Sequence, residues 1–153
     1  MKKYTNLVLI LFFITIISCG YQPLLSSKDT NFYIGKLSFE GNRSVNNYIS
    51  KNLKKFEKGN GNENKYDLNI ITAYKKTITN KDSEGNPKSY NIEIDADIII
   101  IYEDGNKINK KIIKNKSLSA KSEKIKEKEL EKEYIQNLTR ELTKDLIFFL
   151  KNQ

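Results

Sequence analysis

From Tyr90 to Tyr102 the chain alternates with little interruption. Tyr90, Ile92, Ile94, Ala96, Ile98, Ile100 and Tyr102 share one parity, while Glu93, Asp95 and Asp97 hold the other until Ile99 and Ile101. Strand side chains repeat every two residues, so this pattern predicts a strand with one apolar face. An earlier alternation sets Tyr66, Leu68, Ile70, Thr72, Tyr74 and Ile78 against Asp67, Asn69, Lys75 and Thr77. Between the two, residues 80–88 are polar and hold Gly85 and Pro87, which predicts a hairpin tip. Glu103-Asp104-Gly105-Asn106 predicts a second hairpin turn, since glycine tolerates positive φ. Residues 107–118 then return as a strand whose register depends on that turn. A two-residue turn pairs Asp95 with Lys114 and Glu93 with Lys116; a three-residue turn puts Ile108, Ile112 and Leu118 on the core side. The second is favoured, because burying lysine costs more than losing exposed ion pairs.

Elsewhere the period lengthens. Val45, Tyr48, Ile49, Asn52, Leu53 and Phe56 fall at helical spacing after a turn at residues 40–44, with Asn42 or Ser44 as N-cap. Residues 32–39 predict a first strand with Tyr33, Leu37 and Phe39 on one side, and Gly59-Asn60-Gly61-Asn62 predicts a loop. Residues 122–151 predict a long helix. Its stripe is Leu130, Tyr134, Leu138, Leu142, Leu146 and Phe149, widened by Ile135, Ile147 and Leu150. At about 1.5 Å per residue it reaches about 40 Å, enough to cover a small sheet. Its Lys/Glu-rich first half is expected in solvent, and its stripe reads as core, with a membrane-surface helix as the other reading. The element order is β-α-β-β-β-α, an α+β chain with one domain at 32–153.

Ahead of this domain, Lys2 and Lys3 precede eleven residues, 7–17, broken only by Thr15. A membrane span needs about 20 apolar residues, so this run fits a secretion signal over 1–18. Removing 18 residues from 153 leaves 135, one domain by length. The charge falls from +8 to +6, because two lysines leave with the leader. A basic exported protein meets anionic lipid or sugar phosphates; the leader removes nucleic acid as a partner. There is one cysteine, so no internal disulfide forms. Without histidine, zinc sites and histidine-dependent nucleophile schemes fall away, and no phosphate-binding glycine loop is present. No cofactor is expected. Glu93, Asp95 and Asp97 share a strand face and could hold a cation or move a proton. The polar face of a half-buried sheet beside a lysine-rich strand explains them better. The chain is therefore expected not to be an enzyme.

Ile16-Ile17-Ser18-Cys19 resembles the lipobox of bacterial lipoproteins. The resemblance implies cleavage before Cys19, a diacylglycerol on its sulfur, and usually an acyl chain on its amine. Two or more chains hold a protein firmly on a membrane. Residues 19–31 then form a lipidated tether. Tyr21, where an Asp would signal retention at the inner membrane, implies lipid anchoring in the outer membrane, on its periplasmic side.

Cys19-Gly20-Tyr21-Gln22-Pro23-Leu24-Leu25 resembles the mature start of the lipopolysaccharide-assembly lipoproteins of LptE type, and the element order agrees along most of the mature chain. The resemblance implies a two-layer sandwich, with two helices on one face of a four-stranded, mostly antiparallel sheet. It implies a plug that assists and fills the large LptD-type outer-membrane β-barrel and contacts lipopolysaccharide itself. Basic residues of the hairpin between the second and third strands, and near the start of the last helix, are implicated in that contact; here those regions hold Lys81, Lys88 and Lys121. The chain departs from many members in its lysine-rich last helix and in having no arginine at the hairpin. A plug has a use for apolar groups on the uncovered sheet face. Ile99 and Ile101, with the turn Asp104-Gly105, are therefore expected against the barrel wall. The other readings are a different small α/β lipoprotein, such as a lipid-transporter subunit or an activator of a wall-building enzyme, and a hydrolase using the three carboxylates.

Overall fold

The computed structural model describes residues 30–59 and 63–153. The leader at 1–18, the anchor Cys19, the tether up to residue 29 and most of the predicted loop at 59–62 lie outside the described residues. The elements follow the order β-α-β-β-β-α: β1 (Phe32–Gly41), α1 (Arg43–Leu53), β2 (Asn64–Lys81), β3 (Pro87–Tyr102), β4 (Lys107–Ser119) and α2 (Lys124–Lys151), with a short 3-10 turn at Lys54–Phe56. The sheet runs β1-β2-β3-β4. β1 is parallel to β2, and the other pairs are antiparallel.

The alternations of β2 and β3 place Tyr66, Leu68, Ile70, Ile92, Ile94, Ile98 and Ile100 in one buried layer. Onto it α1 presents Val45, Ile49 and Leu53, and α2 presents Leu138, Leu142, Leu146, Ile147 and Leu150. Each fully buried aliphatic or aromatic side chain contributes about 1.5–3 kcal/mol of apolar burial, so this layer is the main source of stability. Phe32 and Phe56 stack at 5.5 Å and close one end. Asn42 caps α1: its side-chain oxygen accepts from the backbone N–H groups of Ser44 and Val45, both at 3.1 Å. The chain enters that cap through Gly41 at φ +89°, where a Cβ would stand 1.9 Å from the Thr72 carbonyl oxygen. The helices are tied together by Gln136 donating to Tyr48 Oη at 2.7 Å.

Two expectations need correction. In β1, Tyr33 does not share a side with Leu37 and Phe39. Phe32 and Ile34 are buried, and the register then slips between Ile34 and Leu37. Gly35 and Lys36 both lie opposite Asp67, whose carboxylate accepts from Lys36 N–H at 2.8 Å. This bulge swaps the parity, so Leu37 and Phe39 return to the core. The other correction concerns α2. Its Lys/Glu-rich first half is not simply solvated: Glu127 is 5 % exposed.

The β4 register is that of the three-residue turn: Ile100 faces Ile108, Ala96 faces Ile112, and Tyr90 faces Leu118. Ile112 and Leu118 are buried, while Ile108 remains 38 % exposed. The physical reason differs from the one expected, because this parity also turns Lys110, Lys114 and Lys116 toward the helix side. β4 is an edge strand, so their stems cover apolar surface while their ammonium groups reach out. Lys110 stands over the Phe149 ring at 4.8 Å, Lys116 over Tyr134 at 4.6 Å, and Lys114 pairs with Asp145 at 2.6 Å.

Candidate functional site

Both helices lie on one face of the sheet, and among the described residues the other face has no covering layer. Its middle is polar and internally paired. Lys75 meets Glu93 at 3.1 Å, and Lys111 meets Asp95 at 2.9 Å and Asp97 at 3.3 Å. The Lys111 ammonium is held above the ordinary lysine range, by Asp95 first and then Asp97. The three carboxylates that looked like a candidate chemical centre are thus each bound by a lysine from a neighbouring strand. Among the described residues no group of three or more acidic, histidine or cysteine side chains is arranged to hold a metal ion.

Around this polar centre the face carries isoleucines set among polar residues. Ile99 and Ile101 are partly exposed, as their parity predicts. They are joined by Ile71, 39 % exposed, and Ile113, 48 % exposed, which the sequence reading did not single out. Their signal was available, since both occupy outward parity in neighbouring strands. Cross-strand pairing places Asn69 beside Ile99, Ile71 beside Asp97, and Asp95 beside Ile113. A shallow depression of about 300 Å³ between them is lined by Ile71, Asp97, Ile99, Asn109 and Lys111. Asp104 and Gly105 lie at one end of this face. Asp104 accepts from Asn106 N–H at 2.9 Å, and Gly105 takes φ +85°, which holds the turn.

The three lysines expected to meet an anionic ligand lie at the other end. Lys81 and Lys88 flank the β2–β3 tip, where Lys81 pairs with Pro87. Asp82 organises the tip by accepting from Glu84 N–H at 2.9 Å and Asn86 N–H at 2.8 Å. The Asn86 N–H contributes most to holding the Asp82 carboxyl below its usual range. Ala120 N–H donates to the Lys88 carbonyl at 2.9 Å, which brings Lys121 to the same end. All three lysines are exposed.

Behind that end sits an ionic cluster the sequence reading missed. Lys76 is on the helix side of β2 and donates to Glu131 at 2.6 Å and Glu127 at 3.3 Å, with its ammonium 4.2 Å from the Tyr90 ring centre. Tyr74 Oη donates to Glu131, and Lys121 N–H donates to Glu127 at 3.0 Å. Burial opposes the Lys76 charge, but Glu131 and Glu127 more than offset it and raise the group above the ordinary lysine range. Glu127 is held low, first by the Lys121 N–H and then by Lys76. For Glu131, burial pushes upward and the Lys76 and Tyr74 hydrogen bonds prevail, so its carboxyl is also lowered. The Tyr74 hydroxyl is raised well above its usual range, by burial first and then by Glu131. A lysine at an inward position of an alternation, with two glutamates four apart on the facing helix, was the legible sign.

Fold and surfaces together define a two-layer α+β domain with one bare sheet face and a basic tip. The same fold occurs in solved lipoprotein structures. The rare lipoprotein B from Shewanella oneidensis aligns with a TM-score of 0.54 at 11 % identity, covering 76 % of this chain and 97 % of that one. A lipoprotein B from Nitrosomonas europaea aligns with a TM-score of 0.54 at 8 % identity, covering 84 % of this chain and 88 % of that one. At these identities the likeness is one of fold. No protein-family profile and no curated protein sequence matches this chain.

Proposed function

We propose that this protein is an outer-membrane lipoprotein that assists and plugs the lipopolysaccharide-translocating β-barrel and contacts lipopolysaccharide during its delivery. The observation that carries the reading is the bare sheet face. Ile71, Ile99, Ile101 and Ile113 lie on it around a centre where one lysine, Lys111, pairs with two aspartates, Asp95 and Asp97. Apolar side chains left open on a sheet face that no helix covers lose their contact with water when a partner seats there, and paired charges can be covered with less loss than free ones. The lipobox ending at Cys19 supports membrane anchoring, and Tyr21 supports the outer membrane. The fold shared with the two solved lipoproteins is consistent with this class. Lys81, Lys88 and Lys121, gathered at the tip, supply ammonium groups for the anionic phosphates of lipopolysaccharide.

The test is Ile99→Lys. Ile99 already touches solvent, so the substitution should leave the melting temperature nearly unchanged. It should sharply reduce co-purification of a large barrel, because a lysine then has to be desolvated against the wall. An intact complex with the variant refutes the assignment of this face.

A further inference from the structure

The last turns of α2 carry a large apolar side chain that the core does not use: Phe148 is 62 % exposed. Residues three and four apart are neighbours on a helix surface, so Lys144 and Lys151 flank it, one on each side along the axis. Neither lysine has a carboxylate partner among the described residues. Lys110 of β4 shares a groove of about 460 Å³ with Phe148 and keeps its ammonium over the Phe149 ring. Asp145, the acid in that groove, is already bound by Lys114 at 2.6 Å. Glu141, about two turns back from Phe148, bounds the patch toward the middle of the helix.

This patch lies where the tether joins the domain. Asn31 Nδ2 donates to the Lys151 carbonyl at 3.5 Å, and Asn64 N–H donates to the Asn31 carbonyl at 2.8 Å. Twelve steps of chain separate residue 31 from Cys19, about 40 Å at full extension. A lipid on Cys19 therefore keeps this end within that reach of the bilayer, while the Lys81 tip stands about 55 Å further along β2.

We propose that Phe148, Lys144 and Lys151 dock the domain on a bilayer surface of anionic phospholipid. The Phe148 ring enters the boundary between headgroups and acyl chains, and the two ammonium groups meet the phosphates through charge-assisted hydrogen bonds. The inference rests on the lipid anchor of the function proposed above and not on the barrel. An anchor alone leaves the orientation of the domain open. This second contact sets it, with the end of α2 against the leaflet and the Lys81–Lys88 tip pointing away.

The chain has no tryptophan, so Phe148→Trp gives a lone reporter. Ile125→Trp, at a side chain 75 % exposed near the other end of α2, is its control. Both substitutions replace exposed side chains, so the fold persists. Each full chain is purified with its acyl chains, verified by intact mass, and reconstituted in vesicles of phosphatidylcholine and phosphatidylglycerol with brominated acyl chains. The reporter of Phe148→Trp should shift to the blue and be quenched, and that of Ile125→Trp should not. Adding Lys144→Gln and Lys151→Gln should lower the ratio of docked to undocked protein about thirtyfold, the order expected for two lysines at an anionic surface. Pure phosphatidylcholine or high salt should weaken the quenching in the same direction. With the acyl chains present, an unquenched Phe148→Trp reporter, equal quenching of both reporters, quenching indifferent to the lysine changes, or quenching only after lipopolysaccharide is added overturns the proposal and leaves the anchor standing. A mass without acyl chains overturns the anchor and the proposal with it.

Discussion

Replacing Lys76 by Met keeps most of the stem and removes the one ammonium among the described residues that touches both Glu127 and Glu131, leaving Lys124 on Glu127 at 3.5 Å. The two glutamates sit one turn apart on the buried side of α2, and without the cation their charges repel. Glu127 is 7 % exposed at its side chain, Lys76 25 % and Glu131 21 %. Breaking a fully buried ion pair costs about 3–5 kcal/mol, and an exposed pair is worth about 1 kcal/mol or less. The partial exposure places Lys76→Met between them, at about 2–3 kcal/mol. With a urea slope of about 2 kcal/mol per M, the unfolding midpoint falls by about 1 M at unchanged slope. Adding Glu131→Gln to the variant should cost little more, so the double-mutant cycle departs from additivity by at least about 1 kcal/mol. The pH dependence follows from the shifts. Both glutamates have lowered folded pKa values, so their contribution is full above the unfolded value near ~4.3 and is lost as pH falls through the folded values. Lys76 is raised, so its share is full below ~10.4 and is lost only as pH rises through its higher folded value. The gap between wild type and variant should therefore be wide at neutral pH. In acid it should shrink to the remaining cation–π contact with Tyr90, about 1 kcal/mol. A gap that is the same in acid and at neutral pH would refute the electrostatic account.

Ile94→Asp should leave no cooperative thermal transition, since Ile94 is fully buried and a carboxylate there has no partner; Glu93→Ala, one residue away on the bare face, should cost under about 1 kcal/mol by the same melt. Gly41→Ala should destabilise by at least about 1 kcal/mol in denaturant titration, because its φ is +89° and a Cβ would strike the Thr72 carbonyl. Lys81→Glu together with Lys88→Glu should weaken lipopolysaccharide binding at low salt while a barrel still co-purifies; unchanged affinity would remove the tip from the ligand contact.

The sequence made some of this legible and hid the rest for identifiable reasons. The run from Tyr90 to Tyr102 announces its strand because apolar and acidic residues keep strict parity, and the stripe of α2 is readable from Leu138 onward. The β1 bulge was hidden because Tyr33, Leu37 and Phe39 share a parity, whereas the residues buried there are Phe32 and Ile34 before the slip and Leu37 and Phe39 after it. Only the pairing with Asp67 resolves the choice. The β4 register came out as expected on a premise that does not hold, since three lysines do face the helix side and escape burial at the edge. The Lys76 cluster is invisible to strand parity or helix spacing taken alone, because it exists only where β2 and α2 meet. Ile71 and Ile113 acquire meaning on a bare face only once Ile99 and Ile101 are set beside them in neighbouring strands.

The most direct measurement is a detergent pull-down of the tagged, lipidated chain from its own membranes, with bound proteins identified and quantified by mass spectrometry. A large outer-membrane β-barrel recovered in about equal molar amount, and lost with Ile99→Lys, is the predicted result. Recovery of a lipid-transporter complex or a wall-building enzyme in its place, with no barrel, would contradict the account.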